Sequence, residues 1–357
     1  MNQPVDLRSD TVTRPTPAMR RAMAECEVGD DVFGEDPTVR QLEELAAGRV
    51  GKAAALLVAS GTMGNLLAVM VHCSGGFGFL AGDASHVRVS EAGGHARLAG
   101  APLWPLATDR LGGFDPAEVK RSIHAGNPHL ATTRLLCLEN THNFCGGVAL
   151  EPERVARIVA PARERGLALH LDGARIFNAA AALNVPAAEL AAPFDSVMFC
   201  LSKGLCSPVG SMLCGSKEFV AEARARRKML GGGMRQAGVL AACGLISLGG
   251  LVERLVEDHA NARFLAGELA GLPGVKIDMD TVQTNMVVLD YAGPRGRGVA
   301  WLKQALAAGD VLALARPAVG SLPEMLRLVL HRDVSRTDCQ RAVRVFREVL
   351  GGTGPGN

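Results

Sequence analysis

The first residue in this chain equipped for chemistry is a lysine at the end of an apolar run. Asp195-Ser-Val-Met-Phe-Cys-Leu-Ser-Lys203-Gly204 is rich in β-formers and bounded by Pro193 before it and by Pro208 and Gly210 after it. That pattern predicts a central parallel strand, buried on both faces, with Lys203 as its last residue. An ammonium group there costs several kcal/mol to desolvate unless it meets a charge or loses its proton, and a neutral amine is a nucleophile toward carbonyls. A second run, Gly166-Leu-Ala-Leu-His-Leu-Asp172-Gly-Ala-Arg175, ends on a carboxylate, a small-residue turn and an arginine. The two ionisable ends lie about thirty residues apart, the length of one strand–helix–strand unit. In open α/β sheets the carboxyl edge of the strands is where ligands bind.

A lysine and a carboxylate at one such edge are what pyridoxal phosphate (PLP) requires. The amine binds its aldehyde, and the carboxylate keeps the ring nitrogen protonated so that the ring accepts electrons. Ser60-Gly61-Thr62 precedes an apolar helical pattern, so the amides of Gly61 and Thr62 are expected at a helix N-terminus, where free N–H groups and the helix dipole attract phosphate. His86 follows the strand-like Phe77–Gly82, and its flat imidazole could stack on such a ring or exchange protons. Thr133–Glu139 reads as another strand, ending in Asn140 and His142, which are expected to point at the same cleft. Glu91 opens the next turn. The basic run from Glu222 to Arg235 reads as a helix end and a glycine loop facing anions, with Arg235 and Lys228 near the PLP site of their own or a neighbouring subunit.

Around these residues the chain divides into an N-terminal arm (1–40), a large cofactor-binding domain (41–250) and a small C-terminal domain (251–357). The arm is polar and turn-rich, suited to crossing to a partner subunit or closing on the active site. Leu251 to Leu272 is expected to be a long linking helix. Val275–Met279, Asn285–Asp290 and Met325–His331 read as strands, Val299–Ala308 and Val334–Leu350 as helices, and Gly351–Asn357 as a disordered tail. Alternation in the last strand sets Arg327 opposite Leu326 and Leu328, out of the small domain's core. At 357 residues, 48% hydrophobic and 21% charged, the chain is globular, and a net charge of +2 predicts no general affinity for nucleic acid or an acidic membrane. With no apolar signal core and no membrane-spanning run, the expected location is the cytoplasm. Nine cysteines without a C-x-x-C pair fit reduced, packed thiols.

Five separated blocks, Asp6-Leu-Arg-Ser-Asp-Thr-Val-Thr-Arg-Pro15, Glu139-Asn-Thr-His-Asn143, His170-Leu-Asp-Gly-Ala-Arg175, Leu201-Ser-Lys-Gly-Leu205 and Gly231-Gly-Gly-Met-Arg-Gln236, together resemble the low-specificity L-threonine aldolases of the beta-eliminating lyase superfamily. The resemblance resumes at Leu326-Arg-Leu-Val-Leu-His331. It implies a fold-type-I PLP enzyme, aspartate aminotransferase-like: an α/β large domain with a mostly parallel central sheet plus a small α/β domain. It also implies a homo-oligomer, dimer or tetramer, with its active site at the subunit interface. Lys203 would hold the cofactor covalently, with Asp172 on the ring nitrogen, Gly61 and Thr62 on the phosphate, and His86 stacked on the ring. Arg175 and Arg327 would lie near the cofactor phenolate and the substrate carboxylate, with Ser9 adding a hydroxyl. A guanidinium fork suits a carboxylate through two charge-assisted hydrogen bonds. Where relatives carry an aromatic side chain soon after the stacking histidine, this chain has Val87, Arg88, Val89 and Ser90.

The implied reaction is cleavage of the Cα–Cβ bond of L-threonine, L-allo-threonine and related β-hydroxy amino acids to glycine and an aldehyde. The bond at Cα that stands perpendicular to the ring is the one weakened, and His86, His142 or a water that one of them orients would take the hydroxyl proton. The same site could run β-elimination, transamination or racemisation, since one torsion decides which bond breaks. From another class, His170, Asp172 and His142 could hold a metal in a hydrolase or binding protein, although the reading adopted carries no metal.

Overall fold

The computed structural model describes residues 3–320 and 322–351; the tail read from the sequence falls mostly outside them, at 352–357. Its central layer is a seven-stranded sheet in the order Ala54–Val58, Ser211–Gly215, Ser196–Cys200, Ala168–Asp172, Thr133–Glu139, Gly78–Gly82, Leu103–Leu106. Ser211–Gly215 is antiparallel to both its neighbours and every other pairing is parallel. Six strands therefore run one way, and their carboxyl ends share one edge.

These strands are mostly apolar because both faces are covered. Alternate residues of one strand enter opposite cores: Val197 and Phe199 pack with Leu136, Leu171 and Leu42 on one side, Met198 and Cys200 with Leu56, Leu67 and Leu213 on the other. The helix Gly61–His72 is pressed onto the strand beneath it. A Cβ at Gly64 would lie 2.6 Å from Met198 Cγ, and one at Gly61 would lie 3.0 Å from Cys200 Sγ. Small residues at the helix start bring its N-terminus down onto the sheet edge.

A second, antiparallel sheet runs Leu314–Arg316, Met325–Val329, Met286–Tyr291, Val275–Lys276. Its core takes Leu326 and Leu328 from one strand, Leu302 and Leu306 from the helix Val299–Ala308, and Phe346 from the helix Arg336–Leu350. The latter helix starts at a capping box formed by Ser335 and Asp338. Val5–Asp6 pairs in parallel with Val311–Leu312, and Val5 and Leu7 join this second core, so the start of the arm lies on its own chain.

The expected linking helix differs from what forms. A π turn, Ser247–Leu251, ends the helix Gly238–Ile246, and a new helix, Leu255–Leu269, leaves at 68°. Gly249 and Gly250 weaken the first helix, while Asp258, fully buried, accepts two hydrogen bonds from Arg254 and draws the chain round. Among the described residues no single helix is long and apolar enough to cross a membrane. All nine cysteines are unpaired.

Candidate active site

Lys203 does not end a strand. Ser196–Cys200 stops three residues short of it, and Lys203 sits half-buried in the loop leading to Ser211–Gly215. Thr13 Oγ1 pins that loop by donating to the Lys203 carbonyl at 2.8 Å. Among the described residues Lys203 Nζ has no hydrogen-bond or ion-pair partner.

Asp172, the last residue of its strand, is buried and accepts from Ala174 N at 3.1 Å and from Asn65 Nδ2 at 2.8 Å. Asn65 Nδ2 also donates to Glu91 Oε1 at 2.8 Å, and that oxygen lies 2.8 Å from His86 Nδ1. An amide oxygen facing two carboxylates would be repelled, so the nitrogen must face them and Oδ1 must face His170. His170 Nε2 then donates to Asn65 Oδ1 at 3.1 Å, Ser196 Oγ donates to His170 Nδ1 at 2.9 Å, and His72 Nε2 donates to Ser196 Oγ at 2.8 Å. One directed chain of hydrogen bonds thus orients the amide that holds Asp172.

Both histidines of that chain are neutral. Burial pushes His170 down to about 3 and His72 down to about 4. Because these folded values lie below the ordinary 6.5, the unfolded chain binds protons that the folded one refuses. The stability this gives is complete above pH 6.5 and is lost as pH falls toward the folded values, by at most about 1.4 kcal/mol per pH unit for each group. Urea unfolding at pH 7 and pH 5 is expected to show this loss, with a shallower dependence in His72→Gln, which keeps a donor but does not titrate.

Gly61 and Thr62 open a helix, as the sequence pattern predicts. Ser60 caps the helix Gly61–His72 by accepting from Met63 N, and among the described residues the Gly61 and Thr62 N–H groups at its N-terminus have no acceptor. His86 opens a short helix, His86–Val89, after the Gly78–Gly82 strand, and its backbone N–H is held by Glu139 Oε2 at 2.7 Å.

A cluster of arginines crosses between the two sheets. Arg175 is buried and donates to both oxygens of Asp10, at 2.6 and 2.7 Å, so its fork is occupied and Nη1 remains for a ligand. Burial works against the Asp10 charge, but Arg175, Lys203 and Arg327 hold its carboxyl far below the usual range. Arg327 donates to Asn143 Oδ1 at 2.7 Å and to the Arg8 carbonyl at 3.1 Å, while its Nε is buried without an acceptor. Burial, then Arg175 and Arg316, lower its proton affinity to about 10, which leaves it charged at neutral pH. Ser9 caps the turn Asp10–Val12 by accepting from Thr11 N at 3.3 Å. Cations outnumber their anionic partners here, the electrostatics of a carboxylate site.

Two expectations need correction. Asn140 does not point at the cleft: its amide donates to the Leu150 carbonyl and accepts from Leu150 N, both at 3.0 Å, because a buried backbone pair there needs partners. The metal reading fails on His170, whose ring nitrogens are both engaged. Among the described residues the three side chains close enough to share an ion are His86, Glu91 and Asp172, and Asn65 already donates to both carboxylates. His142 is buried, with Nδ1 accepting from Cys145 N at 3.3 Å and Nε2 without an acceptor, 3.9 Å from Glu139 Oε2. Its proton therefore resides on Nε2.

Near the start of the Gly61–His72 helix, Gly232 lies against Met63, one residue beyond Thr62. Arg235 pairs with Asp30 at 3.0 Å. Lys228, the last basic residue of the helix Lys217–Met229, has no ion pair among the described residues.

The model of the beta-eliminating lyase family matches residues 6–292. The chain is 41% identical over 349 residues to a low-specificity L-threonine aldolase of Arabidopsis thaliana, covering 97% of this chain and 96% of the relative. The chain belongs to this family. Within it, the low-specificity L-threonine aldolase of Escherichia coli K12 is 42% identical over 348 residues, covering 97% of this chain and 99% of the relative. Among solved structures, the threonine aldolase of Leishmania major superposes with a TM-score of 0.82 at 19% identity, covering 97% of this chain and 100% of that one. The fold is that of fold type I, and this beta-eliminating lyase family member fits PLP on its own geometry. Among the described residues it has two amides without acceptors at a helix N-terminus, a lysine amine without a partner, a carboxylate aimed by a fixed amide, and surplus guanidinium charge.

The sequence had given no role to Asp10, Asn65, Glu91, Glu139 or Asn143. Asp10 lies in a polar, turn-rich arm and Glu139 at the end of a strand, and neither position alone says what its carboxylate meets. A carboxylate five residues after His86 is too weak a signal without the turn that brings it back.

Proposed function

We propose that the protein cleaves L-threonine, L-allo-threonine and related L-β-hydroxy-α-amino acids to glycine and an aldehyde, with PLP as its cofactor. The observation that carries this reading is the meeting, at one edge of the seven-stranded sheet, of Lys203, Asp172, Arg175, His86 and the Gly61–Thr62 amides, with Arg327 arriving from the second sheet. When bound, PLP supplies an electron-accepting ring that weakens the substrate bond perpendicular to it.

The chain's own residues do the rest. Lys203 would hold the cofactor through its aldehyde, Gly61 and Thr62 would bind its phosphate, Asp172 would keep its ring nitrogen protonated, and His86 would pack beside its ring. Arg327 and Arg175 Nη1 grip the substrate carboxylate, with Ser9 beside them. Holding the carboxylate would fix rotation about the substrate's N–Cα bond and so select which bond at Cα is weakened. His86 takes the hydroxyl proton, while His142, whose Nε2 is sealed from the cleft, does not reach the hydroxyl.

The reading includes a homo-oligomer, dimer or tetramer, whose active site lies at the subunit interface and receives Lys228 and Arg235 beside the phosphate. Support comes from Phe33, 74% exposed, and Met229, 64% exposed, which flank the Gly231–Gly233 loop. It also includes a cytoplasmic location, with which nine unpaired thiols agree. Product analysis is the test. Purified protein loaded with PLP and given L-threonine is expected to release glycine and acetaldehyde in equal amounts; a keto acid, ammonia or D-threonine in their place would overturn the reading.

A further inference from the structure

Glu91 lies buried in the turn after the His86–Val89 helix, and its Oε1 meets two groups at 2.8 Å, Asn65 Nδ2 and His86 Nδ1. Asn65 determines which way the hydrogens run. Its nitrogen faces both Glu91 and Asp172, so each carboxylate is an acceptor. Burial pushes the Glu91 carboxyl up while its His86 bond pulls it down, and with Glu91 ionised Oε1 offers only lone pairs, so His86 Nδ1 must carry the hydrogen. Nε2 is then the lone-pair nitrogen of the neutral ring. The ring cannot turn over without placing a lone pair or a C–H against Glu91, and its backbone is pinned by Glu139 Oε2.

We propose that Glu91 is a positioning residue that fixes His86 as the Nδ1–H tautomer, so that Nε2 receives the proton of the substrate's β-hydroxyl. The inference rests on the aldolase reading above and adds to it the group that prepares the base. As the proton moves to Nε2, the O–H electron pair becomes the second C–O bond of the aldehyde. The Cα–Cβ pair stays with Cα, which takes up one proton to leave as glycine. The cation formed on His86 is matched by Glu91 at hydrogen-bond distance, as a carboxylate behind a histidine requires.

Three acidic groups act on this ring: Glu91 from its own turn, Glu139 from the neighbouring strand and Asp172 from the next. Burial lowers the His86 proton affinity, but the Glu91 hydrogen bond and the charges of Asp172, Glu139 and Glu91 raise it above the ordinary histidine range.

The test uses full-length protein labelled with 15N-histidine, before and after loading with PLP, and reads the imidazole nitrogens by NMR across a pH series. Neutral His86 is expected as the Nδ1–H tautomer. In Glu91→Gln its pKa is expected to fall by about one unit or more. The acidic limb of kcat/KM for L-threonine should move down by the same amount, with the visible absorbance of bound cofactor unchanged. Glu91→Asp, one carbon shorter, should give a smaller shift. A neutral Nε2–H tautomer in the unsubstituted protein, or a kinetic limb that stays in place while the ring pKa moves, overturns the proposal. Should no glycine form at all, the aldolase reading fails, while the tautomer measurement still decides whether Glu91 holds the ring as described.

Discussion

Replacing Lys203 by alanine is expected to remove the covalent chromophore of the PLP-loaded protein and to lower turnover of L-threonine by about 10³-fold or more. The loss should be chemical and not structural. Lys203 Nζ makes no bond that the fold needs, and the loop is held through the backbone, by Thr13 Oγ1 on the Lys203 carbonyl. Melting temperature should therefore change little. Borohydride reduction followed by peptide mapping should tag Lys203 in the parent protein and no side chain in the variant. The phosphate and ring contacts remain, so the variant should still bind PLP noncovalently, through Gly61, Thr62, Asp172 and His86. A variant that retains a borohydride-stable adduct at another lysine would show that the wrong amine had been assigned.

Strand ends were legible in the sequence because period and composition speak directly to them. Apolar runs buried on both faces, each followed by an ionisable residue, placed Asp172 and Lys203 at a common edge, and a hydroxyl–glycine–hydroxyl start placed the helix N-terminus at Gly61. The offset of Lys203 from its strand was not legible, because Leu201 and Ser202 differ little in type from the strand residues before them. Residues that act through others were also hidden. Asn65 looks like one more polar position on the Gly61–His72 helix, and its meaning depends on carboxylates 26 and 107 positions away. Asn140 shows the converse. Its place after a strand suggested a ligand-facing group, but the demand of Leu150's buried backbone for partners took its amide first.

Asp172→Asn is expected to lower turnover by about 10² to 10⁴, with the cofactor still attached to Lys203. The carboxylate has three acceptor tasks at once: Ala174 N, Asn65 Nδ2 and the ring nitrogen of bound PLP. An asparagine side chain has one oxygen and cannot serve all three. Wherever its NH2 turns it meets a donor, and leaving one buried donor unpaired costs about 1 to 3 kcal/mol. The larger loss is charge. An ionised partner at this distance raises the proton affinity of a cationic ring nitrogen by about 1 to 3 units, and each unit is about 1.4 kcal/mol of preference for the protonated, electron-accepting form. Asn65 cannot compensate, because His170 fixes its oxygen on the far side. Absorbance titration of the loaded variant should show the ring losing its proton at lower pH than in the parent, and Asp172→Glu should recover part of the rate by restoring the charge. Were Asp172→Asn to retain turnover within about tenfold of the parent, the directed chain from His72 to Asn65 would be serving packing alone, and the electron-accepting role would have to lie with another group.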